Sequence, residues 1–241
     1  MKYLAIGNNA KTIKSDKGGE YLTAIMYLAP ADIAHKIMGK KGTFCPKAEK
    51  AKCKQACLYS AGRGAFTNVQ QARINKSIDF LHDPVAFVDQ LKLDIVKAKK
   101  KAQKLNVKLA VRLNGTSDIT WETCKGSNGL TLMQEFPDVQ FYDYTKLPSR
   151  KVPENYHLTA SYSEADRQYA EKTLKTNKNI AVVFRSKNLP ATFKGRKVIN
   201  GDITDLRFTD PDNVVVGLYA KGRAVKDKTG FVIDSDIIAV G

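Results

Sequence analysis

The sequence has few of the features that mark secreted, membrane or disulfide-stabilised proteins. Its 241 residues include four cysteines, three histidines and one tryptophan. The start, Met-Lys-Tyr-Leu-Ala-Ile-Gly-Asn-Asn, lacks the apolar core and cleavage site of a secretory signal. The longest later apolar run, 22–30, is far shorter than the ~20 residues of a membrane helix. We therefore expect a cytoplasmic protein with no membrane partner, whose cysteines are metal ligands or reactive thiols rather than disulfides.

Linkers and common catalytic motifs are also missing. No internal repeat, low-complexity stretch or Pro/Gly/Ser-rich linker divides the chain, which predicts one domain over residues 1–241. A chain of this length buries roughly 70–75% of its unfolded surface, so it needs no metal merely to fold. Walker, G-x-G-x-x-G, Ser–His–Asp and paired-carboxylate patterns are absent, so none of these catalytic classes is indicated.

Acidic residues are scarce relative to basic ones. Lys and Arg total 40 against 24 Asp and Glu, a net charge of +16. The lysines concentrate in two stretches, 36–54 and 92–108. Such an excess predicts nonspecific binding to nucleic acid or a small phosphorylated ligand. The alternative is a solvated lysine-rich surface, and the sequence leaves the oligomeric state open.

The hydrophobic pattern predicts strands that alternate with helices or loops. The predicted strands are 21–28, 107–113, 139–142, 157–161, 180–184, 198–200 and 214–219. The predicted helices are a short one from Pro30, then 66–81, 83–105 and 164–174. About seven short strands imply an α/β fold with a mostly parallel sheet. With so few helices, we expect an irregular or partial TIM-like barrel rather than a regular eightfold one.

One loop carries three of the four cysteines. Cys45, Cys53 and Cys57 form a C-x7-C-x3-C pattern in the loop that follows the first predicted strand and the short helix from Pro30. Three convergent thiolates suit an iron–sulfur cluster, most simply 4Fe-4S, because no second cysteine pair or nearby histidine completes a standard zinc site. Zinc and unliganded thiols remain alternatives. Cys124 is either the fourth ligand or an incidental thiol.

Polar residues follow several predicted strands at their carboxyl ends. In parallel α/β folds these ends meet at one edge, so the side chains are expected to share a substrate-binding mouth. The alternative is that turns simply favour such residues. The predicted substrate-binding residues are Arg112, Asn114, Asp118, Asp143, Lys146, Asp202 and Asp205.

The chain resembles the phage gene-product-88 family. The resemblance lies in 45–57, the turn 62–64, Val111-Arg112-Leu113-Asn114-Gly115 with Ser117-Asp118, 141–146, and 201–202 with Asp205 and Arg207. It is also remotely similar to radical S-adenosylmethionine proteins, although the cysteine spacing departs from their usual C-x3-C-x2-C.

The resemblance implies a phage-type iron–sulfur protein in the host cytoplasm, acting on or near nucleic acid. The alternative is an atypical radical enzyme that binds S-adenosylmethionine and modifies a nucleotide or nucleic acid. Whether the protein is an enzyme stays open at this point.

Overall fold

A mixed α/β fold with ten strands makes up the described part of the chain. The computed structural model describes residues 2–7, 16 and 19–234. Its strands are β1 (Leu4–Ile6), β2 (Tyr21–Met26), β3 (Lys108–Arg112), β4 (Gln140–Thr145), β5 (Tyr156–Ser161), β6 (Ile180–Phe184), β7 (Thr192–Phe193), β8 (Arg196–Asn200), β9 (Val215–Tyr219) and β10 (Val232–Ile233). Its helices are α1 (Ile33–Ile37), α2 (Thr67–His82), α3 (Pro84–Lys104), α4 (Leu132–Glu135) and α5 (Arg167–Leu174).

The strands form one mostly parallel sheet in the order β1-β2-β3-β4-β5-β6-β9-β8-β7. Only the outermost pairs, β1 with β2 and β7 with β8, are antiparallel. The short β10 pairs in parallel with the end of β6, at Val183 and Phe184, beyond the part of β6 that pairs with β5. All parallel strands therefore end at the same edge of the sheet.

Helix α3 covers one face of the sheet because its apolar residues recur at helical spacing. Phe87, Val88, Leu91, Ile95 and Ala98 are buried in the main core, and most of the helix's lysines are exposed. Pro84 occupies its first turn, and the Asp83 carboxylate accepts the Ala86 N–H at 2.9 Å as an N-cap. The N-cap explains where the helix begins, and the row of apolar residues explains which face it buries.

The sheet is not a closed barrel. Strands β2 to β6 lie in chain order, as in a partial barrel, but the sheet ends at β1 on one side and β7 on the other. Both edge strands run antiparallel to their neighbours, so the parallel array stops before it can close on itself. The predicted α/β class and mostly parallel strands are confirmed, and the TIM-like barrel is not.

No helix in the part of the chain that the structure describes is long and apolar enough to cross a membrane.

Candidate functional site

A pocket opens at the edge of the sheet where the parallel strands end. Side chains from β3, β4, β5, β6 and β9, and from the segments after β2 and β8, line a cavity of about 270 Å³. Ligands of open parallel sheets bind at this edge. We call the cavity the carboxyl-edge pocket. Its lining includes Cys45, Cys53, Cys57, Arg112, Asp118, Lys146, Asp202, Asp205, Tyr219 and Phe231.

The cysteine loop forms one wall of this pocket. The backbone N–H of Asp118 donates to the Phe44 carbonyl oxygen at 2.8 Å, just before the loop. Within the loop, the hydroxyl of Ser163, after β5, donates to the Ala51 carbonyl oxygen at 2.9 Å. These contacts fix the loop against the ends of two parallel strands and so place the thiols of Cys45, Cys53 and Cys57 on the pocket.

Each thiol in the loop has a separate backbone partner. Cys45 Sγ accepts the Ala31 N–H at 3.3 Å, and Cys57 Sγ accepts the Tyr59 N–H at 3.5 Å. Cys53 Sγ lies 3.8 Å from the Ala48 carbonyl oxygen. The three sulfur atoms therefore each contact a different part of the backbone.

The prediction that Cys45, Cys53 and Cys57 hold an iron–sulfur cluster is wrong. Among residues 2–7, 16 and 19–234, no group of three or more His, Cys, Asp or Glu side chains is placed to hold a metal ion. Cys124, the predicted fourth ligand, packs against the main core with its Sγ 3.7 Å from the Thr120 carbonyl oxygen. The predicted binding of S-adenosylmethionine required an open iron of that cluster, so this prediction has no basis either.

Burial keeps the thiols of Cys45 and Cys57 protonated at neutral pH. It raises the pKa of Cys45 to about 12, although the Ala31 N–H and the Lys146 ammonium oppose the shift. It also raises the pKa of Cys57 above its ordinary value. Since the thiolate is the nucleophile, these cysteines are poorly reactive at neutral pH.

We expect the alkylation rate of Cys45 by iodoacetamide to keep rising with pH between pH 7 and 9.5. A thiol whose pKa is about 12 gains thiolate roughly tenfold per pH unit over this range. An unperturbed thiol would level off near pH 8.5–9. Peptide mass spectrometry of the folded protein would measure the rate, with denatured protein as the control. A plateau below pH 9 for Cys45 in the folded protein would contradict the buried, protonated state.

Lys146 is the one cation lining the pocket that lacks an ionic partner among the described residues. Arg112 Nη1 pairs with Asp205 at 2.7 Å, and Lys221 pairs with Asp202. The Lys146 ammonium has no hydrogen bond or ion pair within the described ranges, and it lies 5.9 Å from the centre of the Phe231 ring. Burial alone would lower its pKa, but Cys53 and other neighbours raise it above its ordinary value. Lys146 is therefore a half-buried cation at neutral pH.

A buried ion-pair network fixes the backbone at Lys146. The Asp118 carboxylate accepts the Lys146 N–H at 2.7 Å and the Thr145 hydroxyl at 2.8 Å. Arg150 Nη1 pairs with Asp118 at 3.2 Å, and the rest of its guanidinium binds Glu122. Asp118 and Arg150 are both over nine-tenths buried. This network therefore determines where the Lys146 side chain leaves the end of β4.

A second buried network lies beneath the pocket. Arg112 bonds Asp205 and lies 3.8 Å from the Asp143 carboxylate, and its guanidinium stacks 4.7 Å from the centre of the Tyr144 ring. Burial raises the pKa of Asp143 to about 6, although Arg112 and the Tyr156 hydroxyl oppose the shift. Asp143 is therefore still a carboxylate at neutral pH. Arg112 Nη1 is occupied by Asp205, and the buried Nε has no hydrogen-bond partner among the described residues.

Asn114 connects these networks to the core. Its side-chain oxygen accepts the Ser117 hydroxyl at 2.8 Å, the Ile119 N–H at 2.9 Å and the Trp121 ring N–H at 3.2 Å. Its amide donates to the Ile119 carbonyl oxygen and to Asp143. These contacts fold the loop after β3 and show a structural function for Asn114.

Gly115 lets this loop pass against β2. A Cβ at this position would lie 2.5 Å from the Met26 carbonyl oxygen and 2.5 Å from the Tyr27 ring. Such contacts are closer than any real Cβ tolerates, so only glycine fits without moving the backbone. The close approach brings Thr116 and Ser117 to the pocket wall.

Arg73, on α2, is a buried cation close to the cysteine loop. Its guanidinium lies over the rings of Tyr27 and Tyr59, at 4.8 and 5.6 Å, and one of its Nη atoms has no hydrogen-bond partner in the described part of the chain. A Cβ on Gly64 would come within 3.2 Å of this nitrogen. The Gly62-Arg63-Gly64 turn therefore serves close packing around Arg73.

The structure brings most of the sequence-predicted residues together and separates the others. Eight of them line the carboxyl-edge pocket: Cys45, Cys53, Cys57, Arg112, Asp118, Lys146, Asp202 and Asp205. Asn114 and Asp143 support it from below, and Cys124 lies in the core. Substrate binding by these residues stays a prediction.

Sequence reasoning missed Arg150, Arg73, Tyr219 and Phe231. No local signal marks Arg150, because its acidic partners lie 28 and 32 residues away in the chain. Arg73 sits in an amphipathic helix that also carries the partly buried Lys76, so nothing in the pattern distinguishes it. Tyr219 is the last residue of β9 and Phe231 directly precedes β10, and neither segment carries a motif.

Comparison with known proteins gives one match. The family model described as Gene product 88 matches residues 3–235. No curated protein and no solved structure matches the chain significantly. The match supports an origin in a bacteriophage. The remote similarity to radical S-adenosylmethionine proteins is not shown.

Proposed function

The chain belongs to the gene product 88 family, and we propose that it binds a nucleotide, free or within a nucleic acid, in the carboxyl-edge pocket. The observation that carries this proposal is the Lys146 ammonium, a half-buried charge without an ionic partner among the described residues. Its neighbours keep the ammonium protonated, but none of the described residues accepts a hydrogen bond from it. An anionic ligand would accept those hydrogen bonds.

The chemistry of the pocket suits a phosphate. Lysine binds phosphate as a point charge with three rotatable donors. The other two cations lining the pocket, Arg112 and Lys221, are already paired with carboxylates. Lys146 is therefore the side chain that we assign to the ligand's phosphate.

The remaining walls suit a base and a sugar. Tyr219, Phe231 and Leu218 supply aromatic and apolar surface for a flat ring. Thr116, Ser117 and Ser161 line the same pocket. The Thr116 and Ser117 hydroxyls donate to the Leu28 carbonyl oxygen and to Asn114, so towards a ligand their oxygens act as acceptors. A cavity of about 270 Å³ lies near the lower end of the range for small-ligand sites. This combination favours a nucleotide over inorganic phosphate, which would leave the apolar wall unused.

The proposal is one of binding, without a catalytic step. The thiols at the pocket are the obvious nucleophiles, but burial raises the pKa of Cys45 and of Cys57. The radical-enzyme alternative required a cluster that the cysteines do not form.

We expect Lys146→Met to weaken nucleotide binding by about tenfold or more. A hydrogen bond to a charged group contributes about 1.5–3 kcal/mol, and 1.4 kcal/mol corresponds to tenfold in affinity. Isothermal titration with a panel of nucleoside monophosphates would measure the effect, and the matching nucleosides should bind at least tenfold more weakly. Circular dichroism of the variant should match that of the wild type before the affinities are compared.

The matched control is Lys97→Met, which removes the same charge from the exposed side of α3. It should bind nucleotides as the wild type does. A second measurement uses the cysteines: bound nucleotide should slow alkylation of Cys57, at the pocket, and leave Cys124 unaffected. Equal binding of nucleoside and nucleotide, or unchanged binding by Lys146→Met, would refute the proposal.

A further inference from the structure

A lysine-lined groove lies next to the carboxyl-edge pocket and shares Lys146 with it. Its cavity is about 360 Å³ and is bounded by the cysteine loop, the loop after β4 and helix α5. The basic residues that line it are Lys47, Lys50, Lys146, Arg150 and Lys172. No carboxylate residue is among the lining residues that the structure describes. We call it the lysine groove.

The positive charge of the lysine groove is not neutralised by the protein. Lys47, Lys50 and Lys172 form no ion pair within residues 2–7, 16 and 19–234. Arg150 is different, because Asp118 and Glu122 occupy its guanidinium. Four ammonium groups on three separate segments thus face one groove without counter-ions from the described chain.

We propose that the lysine groove holds the phosphate backbone of a single-stranded nucleic acid while one of its nucleotides enters the carboxyl-edge pocket. This inference rests on the proposed nucleotide site and names its ligand more closely. Lys146 lines both cavities, so a strand that passes along the groove would place a phosphate at the entrance of the pocket.

The geometry favours a polymer over a free nucleotide. A mononucleotide bound through Lys146 would leave Lys47, Lys50 and Lys172 uncompensated, whereas successive phosphates would meet all four. Lysines bind the backbone without selecting a sequence, so we expect little sequence preference from the groove.

The pocket favours a single strand over a duplex. A base inside a duplex is stacked and paired, and it reaches an enclosed cavity only after it leaves the stack, at a cost in free energy. An unpaired strand avoids this cost. The aromatic wall at Tyr219 and Phe231 offers the base a stacking surface in exchange.

The test is binding of a labelled oligothymidylate of about ten nucleotides, followed by fluorescence anisotropy over a range of salt concentrations. With about four phosphate contacts, the logarithm of the binding constant should fall with the logarithm of salt with a slope of roughly −3. The triple variant Lys47→Gln/Lys50→Gln/Lys172→Gln should lower the affinity about tenfold or more at low salt and reduce the slope to roughly −1. The duplex of the same length should bind more weakly.

The matched control is Lys97→Gln/Lys100→Gln/Lys104→Gln, which removes three exposed charges from α3. It lowers the net charge equally and should retain most of the affinity and the slope. An equal loss in both triple variants would show a general field effect and overturn the inference. Equal or tighter binding of the duplex would overturn it as well.

Mononucleotide titration of the groove variant separates this inference from the proposed function. Its affinity should stay within about twofold of the wild type, because Lys146 is retained. If mononucleotides bind and the oligonucleotide gains nothing over them, the lysine groove is refuted and the pocket stands. If the oligonucleotide binds through the groove and no mononucleotide binds, the nucleotide site is refuted and with it the placement of a base in the pocket.

Discussion

Replacing Arg150 by methionine is expected to lower the free energy of unfolding by about 3–5 kcal/mol. The guanidinium bonds Asp118, Glu122, Thr145 and the Tyr156 hydroxyl, and its side chain is 5% exposed. Methionine fills much of the volume but leaves two carboxylates without their cation in a buried place. The loss of the charge partner, rather than of packing, is the reason for the large effect.

Urea denaturation followed by circular dichroism would measure this loss. The matched control is Arg167→Met, since Arg167 is 92% exposed and pairs with Glu171 one helical turn away. That variant should change the free energy of unfolding by less than about 0.5 kcal/mol. Similar small losses for both arginines would show that the buried network contributes little.

A second substitution separates the loss of charge from the loss of packing. Adding Glu122→Gln to Arg150→Met should restore part of the lost stability, because it removes one of the two carboxylates left without a cation. A double variant no more stable than Arg150→Met would indicate a packing defect instead.

Replacing Asn114 by alanine is expected to cost about 3 kcal/mol or more. The change leaves the Ile119 N–H, the Trp121 ring N–H and the Ser117 hydroxyl without their acceptor, and each buried orphan group costs about 1–3 kcal/mol. The loop after β3 should loosen with this loss. Thermal or urea unfolding would measure the cost, and Trp121 fluorescence would report the change around the ring.

Asn75→Ala is the control for this prediction, because Asn75 bonds Gln71 on the exposed face of α2. It should change the free energy of unfolding by less than about 0.5 kcal/mol. Asn114→Asp provides a second variant: it retains the acceptors but places a carboxylate beside Asp143. It should be destabilised at neutral pH and recover as the pair gains a proton at lower pH. If Asn114→Ala matched Asn75→Ala, the hydrogen-bond hub would be refuted.

The sequence alone was sufficient to predict the longer strands of the sheet and the helices that cover it. The stripe from Phe87 to Ala98 has the period of a helix, and Asp83-Pro84 has the chemistry of a helix start, so α3 could be predicted within a residue or two. Runs such as 180–184 have the apolar composition of buried parallel strands. β1, β7 and β10 were missed because two or three residues are too few to show a period.

The sequence also identified side chains that meet at the carboxyl edge, because parallel strands end together. It did not show which of these groups are already paired with other residues of the protein. Arg112 and Asp143 are strand-end residues like Lys146, yet Arg112 is paired with Asp205 from a segment 93 residues away.

Tertiary structure alone decided three matters. The spacing of Cys45, Cys53 and Cys57 suggested a cluster, but metal binding depends on the relative positions of the sulfur atoms, and in the described part of the chain they form no group placed to hold a metal ion. Closure of a barrel depends on the edge strands, and β1 and β7 are antiparallel. Lys146 forms no ion pair with the described residues, while nearby Asp118 pairs with Arg150 across 32 residues of the chain. Local periodicity determines which elements form, while contacts between distant segments determine which charges are compensated and which remain for a ligand.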